Sequence, residues 1–446
     1  MLRCGAAKAN IDPDLPSHLY GYRDTLVSHK IHDSLHVAVI YLESGGERMA
    51  LLTYDAIFFR ASLIEKIQQA CAQATGLPPR AILTTVSHCH STPYAAGAEP
   101  WPTAGPGDPR TAPALAYAER VIAQSVTALK AAIAAAEPAA LSYNTTHIRE
   151  NLNRRAFFPS GQYFYQPKQK NLLPLCDGIA DDELGVLFFK ATQGERYIAT
   201  LVNYTAHPLT VGDTSTEVTA DFPGVIKREI EANLGGVALF VNGACGDNHP
   251  LGAEAGLGRC ERMGQALAEK ALYHRWDSVA LERTPLGSDY REIILPALTR
   301  AQFDALPQNF EAQYREPDAA VLKDGGIRTW FSLWAIGPLL FIGVPGEVTA
   351  ELGLRLKWDS PFPKTFVMFM STDWVGYIPH RNAYTWGGYE VLTARLAPTA
   401  GTVLCNQIIA AAEDLKVRLQ QDGPPLHLPD AEAGAVPGNA PGAAKK

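Results

Sequence analysis

The sequence has few charged residues and no long basic or apolar run. Charged residues make up 19% of its 446 residues, with a formal net charge of -7. Because there is no basic excess, we do not expect a nucleic-acid partner. No apolar run of about 18 residues occurs, so we expect no transmembrane helix and no stable membrane anchor. Hydrophobic residues make up 47% of the chain, which is enough for a large core and excludes a disordered or fibrous protein.

A C-x-x-C pair and a secretory signal are also lacking. The N-terminus, MLRCGAAKANIDPDLP, has no apolar stretch long enough for a signal peptide, and Asp12 and Asp14 interrupt it early. The number of cysteines is odd and they are scattered, which predicts a reduced, cytoplasmic protein and no disulfide framework. The cysteines are Cys4, Cys71, Cys89, Cys176, Cys245, Cys260 and Cys405.

Strand-like and helix-like segments alternate along the chain, and this mixture predicts an α/β fold with at least one extended sheet. Segments rich in β-branched and aromatic residues predict strands at Leu35–Leu42, Met49–Tyr54, Ala81–Val86, Leu184–Phe189, Tyr197–Val202, Val237–Val241, Leu339–Ile342 and Phe366–Met370. Apolar spacing of three and four predicts helices at Ser62–Ala74, Ala114–Ala135, Val225–Asn233, Arg259–Tyr273, Val348–Leu356 and Gly401–Leu419.

The domain organisation follows from composition. Residues 1–420 are predicted to form one catalytic domain, and the Pro-, Gly- and Ala-rich residues 421–446 a disordered tail. Two long loop-like stretches, Ala95–Thr111 and Asn151–Gly178, are expected to be functional, because such loops in compact domains usually are. We expect them to flank the active site and to offer aromatic contacts to substrate from Trp101, Phe157, Phe158 or Tyr163.

The sharpest local motif is Ser87-His88-Cys89-His90-Ser91, directly after the predicted strand Ala81–Val86. Alternate residues of a strand share a face, so His88 and His90 are able to point the same way. Imidazole is the commonest zinc ligand, and two on one side of a strand end make half a metal site. The alternative is a pair of polar histidines at a strand exit.

Three more polar motifs follow predicted strands, where α/β sheets carry their active sites. His207 stands in Ala206-His207-Pro208, and Glu347 in Pro345-Gly346-Glu347 at a strand-to-helix step. The third is Gly243–Pro250, whose small residues let backbone approach a ligand. Each has a structural alternative: a core histidine, a carboxylate favoured in a first helical turn, and an ordinary turn. The tyrosines near Gly376 and Gly387 are interpreted first as packing residues.

Together these motifs resemble the neutral/alkaline (non-lysosomal) ceramidase family in its N-terminal catalytic domain, and the resemblance runs in order from about Gly5 to Leu419. The segments that show this resemblance are Gly5–Asp12, Ser87–Ser91, Asn153-Arg154, Ala206-His207-Pro208, Ala220–Gly224, Pro345-Gly346-Glu347, and Tyr377 with Tyr389. The resemblance implies two packed mixed β-sheets flanked by helices.

The resemblance also implies roles for residues. It implies a zinc ion bound by His88, His207, Glu347 and Tyr377. Residues expected to line the reaction centre are His90, Arg154 and Tyr389, with His249 beside them.

Two departures bear on the substrate. The family carries a serine in G-D-x-S-P, where this chain reads Gly246-Asp247-Asn248-His249-Pro250. The family also has a C-terminal β-sandwich that this sequence does not include. We therefore expect the metal site to be retained and the substrate to differ from a sphingolipid. His249 is expected to act either as a proton shuttle or as a specificity element, and we favour specificity.

The predicted function is a zinc-dependent amidohydrolase that cleaves an amide bond in a small polar or amphipathic metabolite through a zinc-activated water. Arg154 and His90 are predicted to stabilise the oxyanion, and Tyr389 to position the substrate or to donate a proton to the leaving group. One alternative is an ester or lactone hydrolase, since the same chemistry cleaves either bond. Another is a non-catalytic binding protein that has kept the metal.

Overall fold

The structure is a computed structural model that describes residues 1–22, 25–98, 107–157, 163–165, 176–213, 215–252, 254–299, 301–302, 325–421 and 425–428. The strands are β1 (Arg3–Asn10), β2 (Ser17–Tyr20), β3 (Val27–Ser28), β4 (His36–Ser44), β5 (Glu47–Tyr54), β6 (Ile82–Val86), β7 (Thr92–Pro93), β8 (Glu137–His147), β9 (Asn151–Asn153), β10 (Arg155–Phe157), β11 (Tyr163–Tyr165), β12 (Cys176–Asp177), β13 (Glu183–Ala191), β14 (Tyr197–Tyr204), β15 (Val237–Asn242), β16 (Asn248–Pro250), β17 (Val279–Ala280), β18 (Leu286–Pro296), β19 (Gly326–Ile336), β20 (Leu339–Gly343), β21 (Glu347–Val348), β22 (Lys364–Met368) and β23 (Tyr377–Ile378).

The helices complete the description, with one 3-10 turn at Pro79–Ala81. They are α1 (Ala61–Thr75), α2 (Thr111–Ala134), α3 (Asp221–Leu234), α4 (Leu257–Tyr273), α5 (Ala350–Trp358), α6 (Ala383–Trp386), α7 (Tyr389–Leu392) and α8 (Ala400–Gln420). Within the described part of the chain, no helix combines the length and the apolar character needed to cross a membrane.

Two sheets pack face to face at the centre of the molecule. The larger has the order β15-β14-β13-β8-β1-β4-β5-β6, with β17 added beside β8, and the smaller has the order β18-β19-β20-β22. Between them, Ile40 and Leu51 of the larger sheet share one core with Trp334, Phe341 and Phe366 of the smaller. Burial of these large side chains is the main stabilising contribution at this interface.

Helices cover the outer face of each sheet. On the larger sheet, α1 and α2 pack over β4, β5 and β6, while α3 and α4 pack over β13, β14 and β15. On the smaller sheet, α5 and α8 pack over β19 and β20. Central strands are therefore buried on both faces, which explains why they read as continuous apolar runs and not as alternating ones. The predicted α/β fold with two packed mixed sheets and flanking helices is confirmed.

The predicted strands and helices are all present, with shifted ends. Helix α3 begins at Asp221, four residues before its predicted start, because Pro223 stands in a first turn that needs no N–H donor. Helix α5 begins at Ala350, because Glu347–Val348 pairs in parallel with Tyr377–Ile378. The pattern missed several strands, among them β1, β8, β18 and β19. The RCGAAKAN sequence of β1 has weak strand preference, and its conformation comes from pairing with β4 along its full length.

The predicted tail is described over residues 425–428, where Leu426 is buried against the core of α8 and β19. The remaining tail residues, 422–424 and 429–446, lie outside the described residues. The boundary at residue 420 stays a prediction.

Candidate metal centre

Three histidines and one glutamate meet where strands of both sheets end. His88 and His90 follow β6, and His207 follows β14 in the larger sheet. Glu347 opens β21, just beyond β20 of the smaller sheet. His88, His207 and Glu347 are buried, while His90 is half-buried. Packing of the two sheets thus joins ligand-type residues that are far apart in sequence.

The polar atoms of this cluster lie close together. His88 Nε2 is 3.2 Å from His207 Nε2 and 3.3 Å from His90 Nε2. Glu347 Oε2 is 3.5 Å from the Nε2 atoms of both His88 and His207. The ligand atoms of the three histidines all lie within 4.8 Å of one another. His88, His207 and Glu347 form a closed triangle, and His90 adjoins it beside His88.

The opposite ring nitrogens set the tautomer of each imidazole. Each Nδ1–H donates to a backbone carbonyl: His88 to Ile57 at 2.8 Å, His90 to Gly21 at 2.9 Å, and His207 to Cys245 at 2.6 Å. A carbonyl oxygen only accepts, so each Nδ1 carries the proton and each Nε2 keeps its lone pair. All three lone pairs therefore belong to the atoms that converge.

The two carboxylate oxygens of Glu347 make different contacts. Oε1 accepts a hydrogen bond of 2.9 Å from the indole N–H of Trp374. Oε2 is buried and faces the histidines, and among the described residues it has no hydrogen-bond donor. The Trp374 ring is itself stacked on Phe58, with centroids 4.2 Å apart. Trp374 thus fixes the carboxylate with Oε2 directed into the cluster.

The donor set fits a zinc ion. Ligand atoms about 2.0–2.2 Å from a tetrahedral zinc ion lie about 3.3–3.6 Å from one another, which matches the triangle of His88, His207 and Glu347. Lone pairs and a carboxylate oxygen that face each other at this spacing repel without a cation between them. Nδ1–H bonds to carbonyls are the usual outer-shell arrangement of zinc-bound histidines.

The backbone around the cluster is constrained. His88 has a φ of 68°, a left-handed conformation that is uncommon outside glycine and recurs at functional sites. The Asn242 side chain donates to the carbonyls of Ser87 at 2.8 Å and Ala206 at 2.9 Å. Each carbonyl belongs to the residue just before a metal-site histidine. Asn242, at the end of β15, therefore ties the two histidine loops together.

Gly246 allows close approach of backbone at the site. A Cβ at this position would lie 2.7 Å from the carbonyl oxygen of Glu347 and 2.8 Å from that of Val348. The Gly246 N–H donates to Val348 O at 2.9 Å. A side chain here would push the Gly243–Pro250 turn away from the strand that carries Glu347.

Arg154 lies in a buried network beside the cluster. Its Nη1 donates to His249 Nε2 at 2.9 Å, and its Nη2 is 3.4 Å from both Tyr377 Oη and Gly246 O. Pairing of β9 with β16 sets this contact, because it places His249 opposite Leu152. His249 therefore accepts a hydrogen bond from Arg154, and its ring centroid lies 5.1 Å from that of His207.

Aromatic rings and a carboxylate hold Arg154 in place. Its guanidinium carbon lies 4.7 Å from the Tyr389 ring centroid and 5.7 Å from that of Tyr377. Arg154 Nε and Arg155 Nη1 donate to the two oxygens of Glu390, which is fully buried. Glu390 thus bridges both arginines, a geometry that lowers the desolvation penalty of the buried charges.

Burial shapes the protonation of the histidines. It is the largest cause that lowers the pKa of His207 to about 4. Burial and the neighbouring His88 and His207 hold the pKa of His90 well below its usual range. Burial and the Arg154 guanidinium do the same to the pKa of His249. These imidazoles are therefore neutral at pH 7, the form that binds metals.

A cavity of about 80 Å³ opens onto the cluster. This is room for roughly six water-sized groups. Aromatic side chains, including four tyrosines, form much of its wall. It is lined by Tyr20, Gly21, Tyr22, Ile57, Phe58, His88, His90, Glu347, Trp374, Gly376, Tyr377, Tyr389, Thr393 and Arg395.

All eight residues predicted for the site lie at or beside this cluster, and their individual roles stay predictions. His88, His207 and Glu347 converge, as the ligand prediction requires. Tyr377 lines the cavity and contacts Arg154, and burial, followed by the Glu347 charge, raises its pKa well above the usual range. The remaining predicted residues are His90, Arg154, Tyr389 and His249.

The loop predictions are only partly described. Arg154 brings the start of Asn151–Gly178 to the site. Trp101 and Phe158 lie outside the described residues, as do the side chains of Phe157 and Tyr163. Their contact with substrate stays a prediction.

Sequence reasoning missed three residues that organise the site: Trp374, Asn242 and Glu390. Of the three, Trp374 has the clearest sequence signal, because it follows the predicted strand Phe366–Met370. Asn242 and Glu390 act on backbone or side chains distant in sequence, so no local pattern reveals them.

No protein-family model and no curated protein matched the sequence. By structure, the neutral ceramidase from Pseudomonas aeruginosa is similar with a TM-score of 0.73 at 16% identity, over 97% of this chain and 77% of that chain. A structure described as ceramidase complexed with C2 is similar with a TM-score of 0.74 at 16% identity, over 96% of this chain and 77% of that chain. The predicted ceramidase resemblance is confirmed for the fold.

Proposed function

We propose that this chain is a zinc-dependent hydrolase that cleaves an amide bond in a small polar or amphipathic molecule. The observation that carries the proposal is the convergence of His88, His207 and Glu347 with their ligand atoms 3.2–3.5 Å apart. The ceramidase fold adds support, because both solved structures are named for action on ceramide, which is an amide.

In this proposal His88, His207 and Glu347 hold the metal, with Tyr377 as the fourth protein ligand. A zinc ion bound there would act as a Lewis acid and would lower the pKa of a coordinated water from about 15.7 towards 7. The cavity leads directly to these residues, so a substrate entering it reaches the metal.

His90 is proposed to accept a proton from the attacking water. The sequence predicts that His90 donates to the oxyanion, but its Nδ1–H donates to the Gly21 carbonyl and its Nε2 keeps a lone pair. A neutral imidazole in this tautomer accepts at Nε2 and does not donate there. Its position beside His88 and its partial exposure to the cavity suit this role.

Arg154 is proposed to stabilise negative charge on the carbonyl oxygen as water adds to the carbon. It carries a permanent charge, and Glu390 and Tyr389 hold it in one position, so little reorganisation is needed during the reaction. The C–N bond then breaks to give a carboxylic acid and an amine. The Tyr389 hydroxyl, on the same cavity wall, is proposed to position the substrate or to protonate the leaving nitrogen.

A chelator assay tests the function. The purified protein is measured for zinc by mass spectrometry and assayed on a panel of N-acyl compounds, with ester analogues of the same acids in parallel. We expect amide cleavage that a chelator abolishes and added zinc restores. Cleavage confined to esters would move the reaction to ester or lactone hydrolysis. Bound zinc without turnover on either panel would favour a binding protein.

A further inference from the structure

A tryptophan indole joins the metal centre to the cavity. The Trp374 N–H donates to Glu347 Oε1 at 2.9 Å, and the same side chain lines the cavity together with Phe58. An indole N–H only donates, so its partner must be an acceptor such as this carboxylate oxygen. A hydrogen bond to an ionised oxygen is stronger than one between neutral groups. Trp374 therefore contacts a proposed metal ligand and offers the metal no ligand atom of its own.

Stacking fixes the plane of the indole. Its ring lies over the Phe58 ring with centroids 4.2 Å apart and planes inclined by 15°. The Arg60 guanidinium carbon lies 5.1 Å from the Trp374 centroid, within range of a cation–π contact. The direction of the indole N–H is therefore set by contacts that do not involve the metal.

The backbone of Trp374 is anchored as well. Its N–H donates to Asp373 Oδ1 at 2.7 Å, and that oxygen also accepts at 2.9 Å from the N–H of Ala61, the first residue of α1. The other oxygen, Oδ2, accepts from the Thr329 hydroxyl of β19 at 3.0 Å. Asp373 thus ties the tryptophan to a helix that covers the larger sheet and to a strand of the smaller one.

Glu347 is held by the same segment through its backbone. Its N–H donates to Gly376 O at 2.9 Å, and the Val375 N–H donates to Pro345 O at 3.0 Å. Both the side chain and the backbone of Glu347 are therefore fixed relative to residues 374–376. With Oε1 bonded to the indole, Oε2 is the oxygen that faces the two buried histidines, at 3.5 Å from each Nε2.

We propose that Trp374 is a positioning residue that makes Glu347 a one-oxygen ligand of the metal. This inference rests on the proposed function only through its metal centre, and it holds whichever bond the enzyme cleaves. Carboxylates bind cations through one oxygen or through both. Because the indole N–H engages Oε1, Glu347 offers Oε2 alone, and the coordination position that Oε1 would otherwise take stays open. Without this N–H, the carboxylate is free to rotate and to bind through both oxygens.

The test measures zinc affinity, by competition with a chromophoric chelator, and the visible spectrum of the cobalt-substituted protein. One variant is Trp374→Phe. A second protein carries 3-benzothienylalanine in place of Trp374, which keeps the bicyclic ring and its stacking but has sulfur where the indole has N–H. These two proteins separate the hydrogen bond from the packing of the ring.

Two other tryptophans supply matched controls. Trp334 is fully buried, and its N–H has no acceptor among the described residues, so Trp334→Phe removes buried indole volume without removing a hydrogen bond. Trp276 is 79% exposed, so Trp276→Phe controls for the substitution itself. Both should keep wild-type zinc affinity and the wild-type cobalt spectrum, although Trp334→Phe should lower the free energy of unfolding.

We expect both proteins altered at Trp374 to bind zinc roughly 10- to 100-fold more weakly, as is usual when an outer-shell partner of a ligand is lost. Their cobalt spectra should lose intensity, because binding through both carboxylate oxygens raises the coordination number and visible absorption of Co²⁺ weakens as that number rises. Wild-type affinity and spectrum in the benzothienylalanine protein would overturn the proposal even if Trp374→Phe were impaired, since the ring and not its N–H would then be responsible.

The outcome is separable from that of the hydrolase proposal. If wild type binds zinc and both proteins altered at Trp374 show the expected loss, but no amide or ester is cleaved, the positioning role stands and the hydrolase proposal fails. If a chelator abolishes amide cleavage by wild type while the benzothienylalanine protein keeps full zinc affinity and the wild-type spectrum, the hydrolase proposal stands and the positioning role fails.

Discussion

Two cavities of this protein differ in size and in the state of their polar groups. One, of about 80 Å³, opens onto the histidine cluster. The other, of about 510 Å³, is lined by residues of β1, β4, α3 and α4. Among the charged side chains that line it, Lys8 pairs with Glu231 at 2.6 Å and Arg228 pairs with Glu261. Arg228 also pairs with Glu229, outside the lining, at 2.7 Å.

The comparison shows why volume is a poor guide to function here. In the large cavity each cation named above faces a carboxylate, and the mixed surface resembles a solvated groove. In the small cavity, lone pairs and a carboxylate oxygen converge, and no donor from the part of the chain that the structure describes reaches Glu347 Oε2. Convergent ligand-type atoms at this spacing fit the proposed metal centre. Four experiments test whether this contrast is real.

The largest effect is expected from removing a ligand. His88→Ala or His207→Ala should lose most of the zinc, from about one ion per chain, because such sites rarely survive without a ligand. Zinc per chain is measured by mass spectrometry after gel filtration. His32→Ala is the matched control, since His32 lines the large cavity and pairs with Glu217. Full zinc retention in either ligand variant would contradict the assignment.

The next effect separates His90 from Tyr377. In the cobalt-substituted protein, Tyr377→Phe should change the visible spectrum, because it removes a proposed ligand. His90→Gln should leave the spectrum nearly unchanged while turnover falls roughly 10²–10⁴-fold, as expected for a lost proton acceptor. If His90→Gln altered the spectrum and Tyr377→Phe did not, His90 would be the ligand and Tyr377 would not.

A smaller effect is expected from His249. Arg154 keeps its contacts to Glu390 and Gly246 when His249 is truncated, so its charge should stay in position. We expect His249→Ala to raise KM roughly three- to tenfold, the worth of one hydrogen bond, and to leave kcat nearly intact. Steady-state kinetics at unchanged zinc content measure this. A fall in kcat of a hundredfold or more would assign His249 to proton transfer.

The smallest effect is expected in the large cavity. Arg228 is 53% exposed, so its ion pairs are screened by solvent. Arg228→Ala should change the free energy of unfolding by no more than about 0.5 kcal/mol, with zinc content and turnover unaltered. Denaturant titration and a metal assay give both values. If this variant lost zinc or activity, the two cavities would not be independent, which would contradict the contrast drawn between them.

The sequence by itself determined the layers and the positions of the motifs. Apolar runs such as those of β5 and β15 predict strands buried on both faces, because no polar face remains for solvent. Placement of His88, His207 and Glu347 just after such runs predicts a site at the strand ends. These features depend on residues that are neighbours in the sequence, so the local sequence pattern predicts them.

The tertiary structure alone decided how these residues meet. It supplied the 3.2–3.5 Å spacing, the tautomers set by the Ile57, Gly21 and Cys245 carbonyls, and the Trp374 bond to Glu347. It also brought Arg395 to the cavity wall. Each depends on side-chain direction and on packing between segments distant in the chain. Such contacts form only when the two sheets and their loops come together, so no local pattern contains them.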